Sequence, residues 1–439
     1  SYALATTLVR WDTNKQITSG LAESWEVKPK ELKLVLKTGL KWSNGAQLTA
    51  TEVAKSFRRG MSAHPKDFRS LIALVEGIES PNATTVLFRT KESPASQSLL
   101  EKLTEPNYGV LRIKEDGSLD LAASSGPFYL ASRDNSSLTL LRNTHWAYSD
   151  SKMATKVEIR RAEKDFDSQT ILKVDSWPNF IETSSLLNGE LLNEYEKKGY
   201  EIWKRPLDKV FLARLGKRLE NSDGYGLLRF LNRKLSKEIL TARLSGFSLG
   251  DQLFPKGYQL FDPEFKPSAA ESVLPPRFKT VPLVIMLSRA RVSADLQKNI
   301  AKAIEVAVGI APTFVEIDMS DYVRLRKDGN FDLYLGTLGL ADPDPEGVMS
   351  YYFDNDPPVV PKGDGSLLRK LDGARRIADR NTRITEFRKI LSASVSSGYV
   401  LPLFHLSTIG IGREYLDFRA VPTSEESLTL SKIRFKGRE

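Results

Sequence analysis

Two carboxylates, Asp342 and Asp344, stand in the run Asp342-Pro343-Asp344-Pro345, at the end of the stretch FDLYLGTLGLADPDPEG over residues 331–347. Such groups can do acid–base work or hold a cation such as an ammonium. In a proline-rich turn they also serve backbone geometry. The histidines are His64, His145 and His405. None sits at the four-residue spacing of a helical metal pair, and no His-Glu-x-x-His occurs. The chain has no cysteine, which excludes disulfides, thiolate metal sites and cysteine nucleophiles. It has no Gly-x-Ser-x-Gly elbow and no Gly-x-x-x-x-Gly-Lys-Ser/Thr phosphate loop. With no catalytic set complete, the expectation is a protein that binds rather than an enzyme, with no metal and no cofactor.

The elements around the carboxylates must position them. Phe331 to Leu335 is an apolar run with strand character, which breaks into Gly336-Thr337-Leu338-Gly339. A buried strand that stops in glycines and prolines leaves backbone groups and a carboxylate at a sheet end. Ligands bind there in open α/β sheets. The plainer reading is an ordinary strand exit. Upstream, Val281 to Leu287 is another apolar run. Ser293 can cap a helix with Leu296, Ile300, Ile304 and Ala307 inward, and Gly309 ends it. Thr313 to Ile317 reads as a strand and Asp321 to Lys327 as a short helix. This β-α-β-α-β order predicts a mainly parallel sheet. Two helices follow, near 366–380 and 382–396, the second with Ile384, Phe387, Leu391 and Val395 inward.

A chain of 439 residues exceeds one core and predicts about two to three domains. Lys and Arg number 64 against 55 Asp and Glu, a net charge of +9. The basic residues are spread along the chain without a dense block or interleaved aromatics, so no nucleic-acid partner is expected. No run of about 18 apolar residues offers a membrane span. The start, SYALATTLVRW, lacks a signal-peptide pattern, which fits a cytosolic protein or one whose leader has been removed.

Near the N-terminus, Trp25–Val27 and Leu32–Lys37 read as two strands joined at Lys28-Pro29-Lys30, with Leu32, Leu34 and Leu36 on one face. Thr49 and Glu52 have capping-box spacing, so a helix begins near Ala50 with Val53, Phe57 and Met61 inward. The order Leu21-Ala22-Glu23-Ser24-Trp25-Glu26-Val27, Lys41-Trp42-Ser43-Asn44-Gly45, then Leu48-Thr49-Ala50-x-Glu52-Val53 resembles the family 5 extracellular solute-binding proteins of ABC importers. The segment Ser124-Ser125-Gly126-Pro127-Phe128-Tyr129-Leu130 resembles that family's Gly-Thr-Gly-Pro-Tyr, and could serve a hinge or a plain turn. Leu138 to Trp146 and Val400-Leu401-Pro402-Leu403-Phe404-His405 resemble further family stretches. The 216–233 region is the most divergent.

The resemblance implies a two-lobed periplasmic-binding-protein fold of α/β class, type II and cluster C-like. Its first lobe would comprise residues 1–20, 125–216 and 413–439, with a mixed sheet. Residues 21–124 would form a small extra subdomain, and 217–412 a second α/β lobe. Leu4 to Val9 aligns with a family helix that follows an N-terminal strand, and that strand is expected to be missing here. The implied function is capture of peptides or peptide-like ligands between the lobes, for delivery to ABC transporter permease subunits. The implied protein is a monomer in the periplasm or on the outer face of the membrane. The expected ligand wall is Gly336, Thr337, Leu338, Gly339 and Leu340. Asp342 is the nearest match to the family Asp that holds a peptide ammonium, with leucines where the family has Trp. Shifted by one alignment choice, Leu340 takes that anchor position instead. A divergent sensor or interaction protein, and a metal-chelate binder, remain alternatives.

Overall fold

The computed structural model describes residues 3–12, 16–65, 67–91, 95–160, 180–183, 189–204, 209–242, 247–266, 273–288, 292, 294–317, 321, 325, 330–340, 345–354, 365–377, 379–417 and 430–436. The chain divides into two compact units, Ser1–Phe166 with Tyr415–Glu439, and Asp167–Glu414.

The first unit is built on the hairpin that alternation predicts. Strands Ala22–Lys28 and Glu31–Leu36 pair antiparallel, and Thr85–Thr90 and Val75–Glu79 extend them to a four-stranded sheet. Leu32, Leu34 and Leu36 are buried, as a period of two requires. The helix Ala50–Ala63 covers this face with Val53 and Phe57, while Met61 packs at the edge. Glu52 accepts the backbone N–H of Thr49 at 3.1 Å, so the helix starts where the capping pair sets it. Trp42 is fully buried and Trp25 packs against the same core. A second sheet joins Phe128–Arg133, Ser137–Arg142 and Lys156–Arg160. A β-carbon on Gly126 would lie 2.5 Å from the Ala5 nitrogen, so close backbone approach accounts for this glycine. Leu4 to Val9 is not a helix. Thr6 bridges Val110, and Val9–Trp11 forms a strand with Ile17–Ser19. The long-range bridge and the hairpin there override any local helical tendency.

In the second unit a six-stranded sheet runs Phe247–Leu249, Val400–Leu406, Lys209–Leu215, Leu333–Gly339, Val284–Ser288, Thr313–Ile317. It is mixed, not mainly parallel. Only Val284–Ser288 makes parallel pairs, with Thr313–Ile317 and Leu333–Gly339. The other three neighbouring pairs are antiparallel. The β-α-β rule governs only the local segment, and strands from far along the chain add the rest. Helices cover both faces. Phe211, Ala213 and Leu215 share a core with Leu227 and Leu231 of helix Ser222–Lys234 and with Leu296, Ile300 and Ile304 of helix Ala294–Val308. Val210, Leu212 and Leu338 face Met349 of helix Pro345–Phe353, Leu371 of Gly365–Arg375 and Ile384, Phe387, Leu391 and Val395 of Arg380–Ser396. Ala307 is only half-buried, and Gly309 ends its helix at φ +91°. The helix expected over 321–327 and the cap at Ser293 fall largely outside the described residues. No helix among the described residues is long and apolar enough to cross a membrane.

Candidate functional site

The strand Leu333–Gly339 is fastened firmly at its start. Asp332 is buried, and its Oδ2 accepts the backbone N–H of Val284 at 2.8 Å. The same carboxylate pairs with Arg218 at 2.8 Å and with Arg277 at 3.5 Å. The Gly216 N–H donates to the Asp332 carbonyl at 2.7 Å. A β-carbon on Gly216 would meet the Phe331 carbonyl oxygen at 2.2 Å, so no other residue fits this crossing. Buried carboxylates of this kind need both charge and hydrogen-bond partners, and Asp332 has both.

The strand then runs past the glycine break that its sequence suggests. It pairs with Lys209–Leu215 from Leu215↔Leu333 through Leu212↔Gly336 to Lys209↔Gly339. A partner strand more than a hundred residues away thus carries two glycines that would weaken an isolated strand. On the opposite edge the parallel pairing comprises only Ile285↔Leu333 and Met286↔Tyr334. Among the described residues, strand pairing on that edge therefore stops at Tyr334. Leu338 and Leu340 are buried in the core below, whereas Thr337 and Gly339 are half-buried on the other face. The structure thus brings Gly336, Thr337, Leu338, Gly339 and Leu340 together as one strand end.

Asp342 and Asp344 lie outside the described residues. The helix after them, Pro345–Phe353, is held by Arg375, which donates to Glu346 at 2.9 Å and to Asp354 at 2.6 Å.

Other polar groups of this sheet were not evident from sequence patterns. Arg214 sits in the apolar run Phe211 to Leu215, paired with Tyr334 and Val400. It is 3% exposed, with its Cζ 4.4 Å from the Tyr334 ring centroid. A lone arginine inside a central apolar strand is the signal that could have found it. His405 is also buried, while His64 and His145 are exposed. A β-carbon on Gly250 would lie 2.2 Å from the His405 Cε1, so the imidazole packs directly on that glycine. Desolvation lowers the His405 pKa to about 4, with Lys237 acting the same way and the Leu253 and Gln252 backbone and Asp251 opposing. Lys237 donates to the Gly250 carbonyl at 3.0 Å, and burial lowers its own pKa. Among the described residues, no three His, Asp or Glu side chains gather as metal ligands.

The fold is shared with solved structures along nearly the whole chain. NikA from Brucella suis, in complex with Fe(III)-EDTA, superposes with a TM-score of 0.80 at 15% identity, covering 99% of this chain and 94% of that one. DppA from Helicobacter pylori, in complex with the peptide STSA, gives 0.78 at 15% identity over 99% and 92%. A periplasmic oligopeptide-binding protein from Borrelia burgdorferi gives 0.77 at 16% identity over 99% and 94%. No curated protein matches the chain by sequence. Residues 16–170 match the family model of the bacterial extracellular solute-binding proteins, family 5, middle region. The family match thus covers the first part of the chain, and the shared fold covers nearly all of it.

Proposed function

We propose that this chain captures peptides or peptide-like solutes and delivers them to the permease subunits of an ABC importer. It acts by binding alone, as a monomer, in the periplasm or on the outer face of the cell membrane. The observation that carries this reading is the end of strand Leu333–Gly339, where pairing on one edge stops at Tyr334. An extended peptide can add its own backbone to such an edge, which gives affinity with little demand on side chains. Gly336 and Gly339 let that backbone approach closely. Asp342, two residues beyond Leu340, supplies a carboxylate for a terminal ammonium, a charge-assisted bond. The similarity to proteins solved with STSA and other peptides supports the same solute class.

Thermal melting of the purified chain against pools of di-, tri- and longer peptides tests the reading. A rise in Tm with at least one pool length is expected. No shift at any length would remove the peptide class.

A second reading is favoured by one observation. NikA proteins solved with Fe(III)-EDTA and with Ni(L-His)2 superpose as well as the peptide binders, with TM-scores of 0.80 and 0.79. On that reading the solute is a metal chelate. Elemental analysis of the protein as isolated separates the two, because a chelate carries its metal in stoichiometric amount.

A further inference from the structure

One tyrosine ring in the first unit carries two cations. The Arg10 Cζ stands 4.3 Å from the Tyr148 ring centroid, and the Lys37 Nζ stands 4.5 Å from the same centroid. The three side chains come from separate parts of the chain. Arg10 lies in strand Val9–Trp11 opposite Thr18, Lys37 follows strand Glu31–Leu36, and Tyr148 lies beyond strand Ser137–Arg142. Like charges gathered at one point repel, so the fold holds this pair against their own field.

The ring that holds them is fixed. The Tyr148 hydroxyl lies 2.9 Å from the Ser19 carbonyl oxygen and 3.0 Å from that of Gly20, and donates its proton to this pair. A β-carbon on Gly20 would stand 2.3 Å from the Thr7 carbonyl oxygen, so that turn packs backbone on backbone. Trp146 meets Tyr148 edge-on at 5.4 Å and donates its Nε1–H to the Thr6 hydroxyl at 3.0 Å. The Lys37 ammonium in turn donates to the Tyr148 hydroxyl at 2.6 Å.

The two charges stay uncompensated. Among the described residues Arg10 has no hydrogen bond and no ion pair, its Nε is buried with no partner, and Lys37 has no ion pair. The carboxylate nearest to Arg10 in sequence, Asp12, accepts the Gln16 backbone N–H at 2.8 Å. Arg10, Lys37 and Tyr148 are all half-buried. A guanidinium over a ring uses its cationic face and keeps the N–H donors of its own plane. An ammonium with one donor on a hydroxyl keeps two more.

We propose that Arg10 and Lys37, positioned by Tyr148, bind a phosphate group. At neutral pH a phosphoryl group brings close to two negative charges and three acceptor oxygens, which match two cations better than the single charge of a carboxylate does. Arginine supplies a planar fork and lysine a point charge. The inference does not rest on the solute-binding reading. Its residues belong to the first unit, whereas strand Leu333–Gly339 belongs to the second.

Calorimetric titration of the full chain with inorganic phosphate, at fixed pH and ionic strength, tests the site. One phosphate per chain is expected, with acetate bound at least about tenfold more weakly. Arg10→Gln and Lys37→Gln should each weaken phosphate by about tenfold or more. Tyr148→Phe keeps the ring beside Arg10 and frees the Lys37 ammonium, so a smaller loss is expected there. Circular dichroism checks that each variant folds, and the two glutamine variants serve as independent tests. Cosedimentation with phosphatidylcholine vesicles, with and without phosphatidic acid, separates the sources of the phosphate. Vesicle binding that needs phosphatidic acid and is lost in Arg10→Gln assigns a lipid headgroup, and phosphate binding without it assigns a soluble phosphate. No binding of phosphate or of phosphatidic acid would overturn the site. Phosphate binding that survives both glutamine substitutions would be an adventitious ion only, and would also overturn it. Acetate binding as tight as phosphate would reject the doubly charged ligand.

Discussion

Arg218 and Asp332 meet at 2.8 Å, at the start of the strand whose far end carries Gly336 to Leu340. Asp332 also holds the Val284 N–H and reaches Arg277, so one carboxylate ties two sheet strands and two cations together. Removing it leaves a backbone donor and two guanidinium groups without this acceptor. Asp332→Ala is therefore expected to cost about 3–5 kcal/mol of stability. Urea denaturation checks this, and a change below about 1 kcal/mol would show that the pair is only peripheral.

Gly216 crosses Phe331 so closely that an added β-carbon would lie 2.2 Å from its carbonyl oxygen. The obstacle is backbone and cannot swing aside. Gly216→Ala should destabilise by about 1–3 kcal/mol through overpacking, although its φ of −73° suits alanine. An unchanged urea midpoint would mean that the crossing relaxes without cost.

Burial holds His405 down at about 4, below its ordinary 6.5. The unfolded chain therefore takes up a proton at a pH where the folded chain does not. Stability from this residue is complete above about 6.5 and is lost as the pH falls toward 4. The loss amounts to about 3 kcal/mol across that window. Urea midpoints at pH 7 and pH 4.5 measure it. His405→Gln should flatten the difference, and an equal slope in the variant would assign the effect to other groups.

Asp342 is the carboxylate proposed to hold a peptide ammonium. Asp342→Ala should weaken a free-amine peptide by about tenfold to a hundredfold and leave its N-acetylated form unaffected. Equal affinities of wild type and variant for the free amine would overturn that role.

Elements with a strong local period were legible in the sequence. Leu32, Leu34 and Leu36 alternate, and Thr49 with Glu52 marks the helix start. Ile384, Phe387, Leu391 and Val395 trace the buried face of the last long helix. Contacts with distant partners were not legible. Gly336 to Gly339 look like a strand break until Lys209–Leu215 is laid beside them. Leu4 to Val9 follow the bridge from Thr6 to Val110 and lead into the hairpin with Ile17–Ser19, not a helix. Arg214 and Asp332 interrupt apolar runs, and their burial follows from the central place of those runs in the sheet. The candidate wall was legible as residue types, and the place of Arg214 beside Tyr334 emerges only from the register between their strands.

The central claim is that this chain binds peptide-like solutes. Its most direct test is mass spectrometry of small molecules released by denaturing the protein after export to a bacterial periplasm and purification without refolding. The expected result is a set of short-peptide masses at near-stoichiometric yield, with none recovered from a control protein. Recovery of a metal chelate, or of no small molecule from a protein that also fails to bind peptide pools, would contradict it.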